Sequence, residues 1–357
     1  MARVGILGLP NVGKTTLFNA LTGLDAPTAG HPFSTTDSNV GVARVFDGRL
    51  DLAAEVEGST KTTYATLDVL DLPAKAGPGG TGLGAQALGR LREMEALAVV
   101  LRAFHDDAVP GIESGLDPVS QAESLLLELS IADAEVFSRR AQKAVKEAMS
   151  DASLRMEADA IVRATAHLED GLPLRAGAWT DSETAVFRGL APLTLRPAVW
   201  VVNADEGAFE QDAADRVAEV VPSGDPVVVL SARIEEEAAQ LDPTDRVEFL
   251  EGLGLGEGAL ATVVRATYSA LGLLSFYTLG PKEARAWTVP VGIAALAAAG
   301  KIHSDLERGF IRAEVSPIEV VLEAGGWDAA KAADLVRVEG KDYIITEGDV
   351  IVVRFSV

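Results

Sequence analysis

The chain contains no cysteine, which removes disulfides, thiol nucleophiles and cysteine-held zinc together. Its four histidines, His31, His105, His167 and His303, are scattered, so neither a histidine metal cluster nor redox chemistry is expected. Positive charge is scarce as well: 31 Lys and Arg stand against 53 Asp and Glu, a formal charge of −22. That field repels nucleic-acid phosphates, so no DNA partner is expected and any RNA contact has to use a local cationic patch. Long apolar runs are missing too. None approaches the ~18 to 20 residues of a membrane span, and the stretch from Val4 to Leu9 is too short for the core of a signal peptide. A cytoplasmic protein with no membrane partner is expected.

What is present can fold. A hydrophobic fraction of 48% with 24% charged residues supports a packed core, and 357 residues exceed the ~250 to 300 that one core usually serves, so two or three domains are expected. Short apolar runs at Arg3 to Gly8, Ala65 to Leu70, Ala96 to Leu101, Ala198 to Val202 and Pro226 to Leu230 alternate with helix-like segments, the pattern of a parallel α/β sheet. Between Leu116 and Leu195 the period changes. Leu127, Ile131, Ala134, Ser138, Ala141, Val145 and Ala148 form one helical stripe, and Leu154, Ala158, Ile161, Thr165 and Leu168 form another. A break at Ser150 to Ser153 predicts an inserted helical hairpin, coiled-coil-like, with two ordinary surface helices as the alternative. After Leu271 short strand-like pieces follow (Ala284 to Val289, Phe310 to Val315, Tyr343 to Ile345, Val350 to Val357), which predicts a small α+β domain.

Gly8-Leu9-Pro10-Asn11-Val12-Gly13-Lys14-Thr15 matches G-x-x-x-x-G-K-[ST] between a predicted strand and a helical run that begins at Thr16. Gly8 and Gly13 let the backbone curl so that N–H groups, including those from Val12 to Thr16, face phosphates. Lys14 is expected at the β and γ phosphates, and the Thr15 hydroxyl on Mg²⁺. The second Mg²⁺ group is expected to be Asp71, at the end of Thr66 to Leu70, with Asp68 as its competitor. Asn203-Ala204-Asp205-Glu206 follows a buried strand and is the candidate base-recognition element, with Asn203 and Glu206 as contacts. Ser231 and Ala232, after the next strand, are read as a backbone contact to the base.

These residues resemble the YchF or Obg-like ATPase family over nearly the whole chain. Gly8 to Thr22 is similar to its phosphate loop, and His31-Pro32-Phe33-Ser34-Thr35-Thr36 followed by Asn39-Val40-Gly41-Val42 is similar to its first switch. The resemblance implies that Thr35 meets Mg²⁺ or the γ-phosphate, making Lys14 and Thr35 the catalytic candidates. Asn203 to Glu206 resembles the family's N-x-x-E, which implies ATP, because a Glu in the last position need not pair with guanine N1–H and N2–H₂. The stretches Lys282 to Thr288, Gly300 to Asp305, Arg308 to Glu314, Glu339 to Ile344 and Gly348 to Val350 resemble the family's TGS domain, a β-grasp, ubiquitin-like module. The implied division is 1–115 with 196–273 for the nucleotide domain, 116–195 for the hairpin and 274–357 for TGS. Asn11 resembles the Asn that K⁺-dependent relatives place beside the phosphates, although a loop-stabilising hydrogen bond explains it equally well.

Several positions depart from the family. Its D-x-x-G second switch reads Asp71-Leu72-Pro73-Ala74, so the γ-phosphate N–H falls to Ala74, followed by Lys75. The Gly-rich run Gly77 to Gly84 is shorter than the family pattern, and the position of its water-positioning His falls on Gly111, not on His105. Slow hydrolysis is expected. The leading reading is a Mg²⁺-dependent ATPase switch acting on the ribosome or translation-associated RNA through the TGS and helical domains. A GTPase of the same architecture and a nucleotide-binding scaffold with negligible turnover are the alternatives. Residues 274–312 carry Lys282, Arg285, Lys301, Arg308 and Arg312 against three acids, a candidate phosphate-facing surface.

Overall fold

The computed structural model describes residues 2–26, 39–72, 83–106, 117–205, 211–253, 255–256 and 258–356. Among these residues the chain forms twelve strands. The first seven are β1 (Ala2–Leu7), β2 (Asn39–Val45), β3 (Thr62–Thr63), β4 (Ala65–Asp71), β5 (Ala96–Ala103), β6 (Ala198–Ala204) and β7 (Val227–Leu230). The last five are β8 (Leu273–Thr278), β9 (Ala284–Pro290), β10 (Phe310–Pro317), β11 (Arg337–Glu339) and β12 (Asp349–Phe355). Two compact units emerge, one made of Met1–Val42 with Asp68–Ala270, the other of Ala43–Leu67 with Leu271–Val357.

The first sheet runs β2-β4-β1-β5-β6-β7, in which β1, β5, β6 and β7 are parallel to one another. The five runs read as buried strands are β1, β4, β5, β6 and β7. β6 is buried at every position, as a strand covered on both faces must be. β4 instead alternates, with Ala65, Leu67, Val69 and Asp71 buried and Thr66, Asp68 and Leu70 half-buried. That period of two separates the competing aspartates: Asp71 shares a face with the apolar residues, and Asp68 does not.

The helical hairpin is present. Its long helix, Pro118–Ser150, starts on an Asp117 cap and ends at Ser150. A single 3₁₀ turn, Ala152–Leu154, leads into the helix Arg155–Glu169. Phe137, Ala144, Ala158, Ile161, Ala164, Leu168 and Phe187 form a separate core at this end. At the other end Asp133, fully buried, accepts hydrogen bonds from the Leu193 and Thr194 N–H groups (3.1 and 2.8 Å), the Thr194 hydroxyl (2.8 Å) and Arg92 (2.7 Å). Four donors on one carboxylate fix the root of the hairpin.

In the second unit the sheet order is β11-β10-β12-β8-β9-β3. A β8–β9 hairpin is followed by the helix Ala295–Ile302. The last strand, β12, then inserts between β8, to which it is parallel, and β10, to which it is antiparallel. This is the β-grasp order. Tyr343 to Ile345, expected as a strand, makes only an isolated bridge between Ala294 and Ile344, since the turn at Glu347-Gly348 follows too closely for a ladder to form.

Residues 43–67 also belong to this unit, although sequence placed them with the nucleotide domain. β3 pairs with β9, and the Trp327 N–H donates to Glu57 (2.5 Å). Arg49 reaches Asp47 (2.7 Å), Glu319 (2.6 Å), Tyr277 (3.2 Å) and Glu347 (3.3 Å).

Candidate functional site

The phosphate loop links β1 to the helix Lys14–Thr22. β1 is held by Val4, Ile6 and Leu7, all buried, and a Cβ on Gly5 would lie 2.9 Å from both Leu91 and Met94. At Gly8 a Cβ would meet the Val100 carbonyl at 2.5 Å, so the loop leaves the sheet where only hydrogen fits. Gly13 caps the helix at φ 95°, and a Cβ there would stand 2.3 Å from the Asn203 side-chain nitrogen. Asn11 also has a left-handed backbone, at φ 61°, a conformation Asn tolerates better than most residues. Loop shape is therefore a sufficient reason for that residue.

Lys14 is buried, and its ammonium donates to the Gly8 carbonyl (3.0 Å) and the Leu9 carbonyl (2.7 Å). Burial lowers its pKa to about 8, against the opposing pull of the Asp71 carboxylate. The two loop carbonyls satisfy this buried cation, and phosphate oxygens are acceptors of the same kind. The Thr15 hydroxyl donates to Asp71 Oδ2 at 2.8 Å, and Asn39 Nδ2 donates to the same oxygen at 3.2 Å. The other carboxylate oxygen, Asp71 Oδ1, is buried with no hydrogen-bond partner among the described residues. A hydroxyl beside a carboxylate with a free buried oxygen is an all-oxygen donor set, which fits Mg²⁺ together with phosphates and water.

Where sequence expects the base to be read, Asn203 has a task that sequence did not show. Its Nδ2 donates to the Val12 carbonyl at 2.9 Å, and its Oδ1 accepts from the Ala232 N–H at 2.9 Å. One buried amide thus ties the phosphate loop to the loop after β7. Ser231 caps the helix Ala232–Ala239. Asp205 accepts the His105 N–H at 2.9 Å, joining the ends of β5 and β6. Arg102, nearly fully buried, lies over the Phe104 ring at 4.4 Å. Its N–H and carbonyl exchange hydrogen bonds with the Gln121 side chain (2.8 and 2.7 Å). Nothing local in the sequence signals this arginine.

Gly8, Asn11, Val12, Gly13, Lys14, Thr15 and Thr16 therefore share one loop and helix start, Asp71 joins them, and Asn203 connects them to Ser231 and Ala232. Thr35, Ala74, Lys75, Glu206 and Gly111 lie outside the described residues.

A glycine-lined loop between a parallel strand and a helix, a buried Lys at its end and an Asp facing the Thr beside that Lys define a P-loop nucleotide-binding protein. Comparison with known proteins narrows this. Residues 3–126 match the family model described as MMR_HSR1, 50S ribosome-binding GTPase. Residues 273–356 match YchF-GTPase_C, described as a protein of unknown function (DUF933). The chain is 39% identical over 360 residues to the ribosome-binding ATPase YchF of Escherichia coli O157:H7, covering 99% of both chains. It is 40% identical over 361 residues to the protein of the same name from Haemophilus influenzae, again covering 99% of both. The structure of the Schizosaccharomyces pombe YchF GTPase superposes with a TM-score of 0.84 at 28% identity, covering 99% of this chain and 97% of that one. The chain belongs to the YchF family.

Proposed function

We propose that this protein is a Mg²⁺-dependent ATPase acting as a nucleotide switch on the ribosome. The observation that carries the choice of ATP is the engagement of the polar groups at the base end. Guanine offers N1–H and N2–H₂ donors and needs a carboxylate to accept them. Asp205 turns one oxygen, Oδ2, onto the His105 N–H, and both ends of the Asn203 amide are committed to Val12 and Ala232, so the last position of the element, Glu206, is the carboxylate left to meet the base. Base selection is then left to Glu206 and to backbone groups beside Ser231, since the Ala232 N–H is already donated to Asn203. The relatives from Escherichia coli and Haemophilus influenzae carry ATPase in their names, which agrees with this reading.

In catalysis Lys14 leaves the Gly8 and Leu9 carbonyls for phosphate oxygens, and the curled loop from Val12 to Thr16 presents N–H groups to the transferring group. Thr15 and Asp71, with Thr35, would hold Mg²⁺, which would supply charge neutralisation at the phosphates, and Ala74 would supply the γ-phosphate N–H. With Gly111 where the family's water-positioning group is expected, turnover is slow. Ribosome binding follows from the names of the two relatives, with the β-grasp unit as a TGS module and the hairpin as the contacting parts. A K⁺ requirement is tested by exchanging K⁺ for Na⁺ in the hydrolysis assay.

The deciding experiment is calorimetric titration of the nucleotide-free protein with Mg²⁺ADP and Mg²⁺GDP, with Lys14→Ala as the control that abolishes both. Tighter ADP binding is expected. Tighter GDP binding would make this a GTPase of the same architecture.

A further inference from the structure

The hairpin carries a segregation of charge that the nucleotide site does not use. In its long helix every charged residue from Pro118 to Glu135 is acidic, whereas the turns from Arg139 to Lys146 hold four bases and no acid. Arg139, Lys143 and Lys146 follow at spacings of four and three, so they share one face. That face lies opposite the buried Phe137 and Ala144. Arg139 and Lys146 are exposed and take part in no ion pair among the described residues, and the Lys143 side chain is 74% exposed with Glu147 at 3.6 Å.

Three carboxylates near the tip, Glu147, Glu157 and Asp151, are already engaged. Arg140 takes Glu147 (2.8 Å) and Glu157 (2.7 Å), and Asp151 accepts the Ser153 N–H (2.9 Å) and hydroxyl (2.6 Å) to form the turn. Just beyond the turn Arg155 is exposed and likewise without an ion pair among the described residues. On either side of the turn two methionines stand out, Met149 at 81% exposure and Met156 at 83%.

From this we infer that the outward face of the long helix, Arg139, Lys143 and Lys146, together with the hairpin tip beyond it, where Met149, Arg155 and Met156 are exposed, docks on RNA. The inference deepens the ribosome reading, on which it rests, by naming the surface. In a chain of −22 a phosphate backbone is repelled everywhere except where charge reverses locally. Cations one helical turn apart, ~5 to 6 Å along the axis, meet successive phosphates, and the unbranched methionines offer adaptable apolar contact to sugars and base faces. The surface at 274–312 is the weaker candidate because topology divides it. Lys282 and Arg285 lie at β9 and Arg312 on β10, three strand spacings or ~14 Å apart. Arg285 and Arg308 also face Glu283 and Asp305.

The test uses the full-length protein and a fluorescent RNA duplex, with affinity measured by anisotropy over a salt series. Wild type is expected to bind with a log–log salt slope of about −3, and Arg139→Glu with Lys143→Glu and Lys146→Glu is expected to weaken binding at least ~10-fold and remove about two to three units of that slope. Unchanged ADP affinity shows that the variant is folded. Should it melt early, Lys146→Glu alone is expected to remove about one unit. Equal affinity and slope in wild type and variant overturns the inference, as does a wild type that does not bind the duplex. Ribosome pelleting lost in Met149→Gln with Met156→Gln, while charge reversal leaves RNA binding intact, would mark a protein groove and also overturns it. Wild type that fails to pellet with ribosomes but binds RNA through this face removes the ribosome reading and leaves this one standing.

Discussion

The two ends of the nucleotide site are built on opposite plans. At the phosphate end, groups point at the place a ligand fills: Lys14 rests on loop carbonyls, and Asp71 keeps one buried oxygen unpaired. At the base end the polar side chains are turned onto the protein itself, Asn203 between two loops and Asp205 on the His105 N–H. On the proposed reading, nucleotide affinity comes chiefly from the phosphates, and the base end acts as a frame.

The sharpest way to break this division is at Gly13, where the two ends touch. Gly13→Ala puts a methyl 2.3 Å from the Asn203 nitrogen, on a backbone at φ 95°. Left-handed strain of ~1–2 kcal/mol adds to a lost buried hydrogen bond of ~1–3 kcal/mol, so ADP affinity is expected to fall ~100-fold or more. Calorimetric titration of the variant with Mg²⁺ADP checks this, and near-normal affinity would mean that the loop and the base frame are not coupled at this contact.

Asn203→Ala sharpens the comparison from the other side. It leaves the Val12 carbonyl and the Ala232 N–H unpaired, which costs about 1 to 3 kcal/mol, seen as a lower melting temperature. Affinity for ADP and GDP is expected to fall together, by ~10-fold or more. A loss confined to one nucleotide would show that Asn203 reads the base directly.

How much of this was legible follows from where the constraints lie. The phosphate loop was legible because a backbone curled around phosphate needs Gly at two positions and Lys after the second, all local. The hairpin was legible from its period, including the break at Ser150. Asp71 is preferred to Asp68 in the sequence only for its place at the strand end, and the burial alternation of β4 that separates the two belongs to the fold. The attachment of residues 43–67 to the C-terminal unit was not, because Arg49 to Glu319 and Glu57 to Trp327 are contacts across more than two hundred residues with no local pattern. The task of Asn203 was hidden for the same reason: the motif marks the residue, and only the fold shows that both amide atoms are occupied.

Asn39 tests the phosphate end at its metal side. Its amide and the Thr15 hydroxyl share Asp71 Oδ2, which leaves Oδ1 without a hydrogen-bond partner among the described residues. Asn39→Ala removes about 1 kcal/mol of that support. The Mg²⁺ concentration needed for half-maximal ADP binding is expected to rise about fivefold, with ADP affinity in the absence of Mg²⁺ unchanged. An equal loss with and without Mg²⁺ would assign Asn39 to loop structure alone.

The smallest effect is the most diagnostic of the plan at the phosphate end. In the nucleotide-free protein burial holds Lys14 at about 8, and bound phosphates restore the charged form, raising its pKa toward the ordinary lysine range. Binding then takes up protons: affinity is full below pH 8 and falls as pH rises through that value, by about fourfold at pH 8.5 relative to pH 7. Titrations in two buffers of different ionisation heat are expected to show uptake approaching one proton at pH 8.5, and Lys14→Arg, whose guanidinium does not titrate there, is expected to show none. The contribution of Lys14 to folding has the opposite slope. The unfolded chain binds the proton more tightly than the folded one between pH 8 and the ordinary lysine range, so the burial penalty is fully present below pH 8 and is relieved as pH rises. One side chain thus makes the nucleotide-free protein more stable, and the nucleotide complex weaker, over the same interval. Proton uptake absent at pH 8.5 would mean that Lys14 is already fully charged before the phosphates arrive.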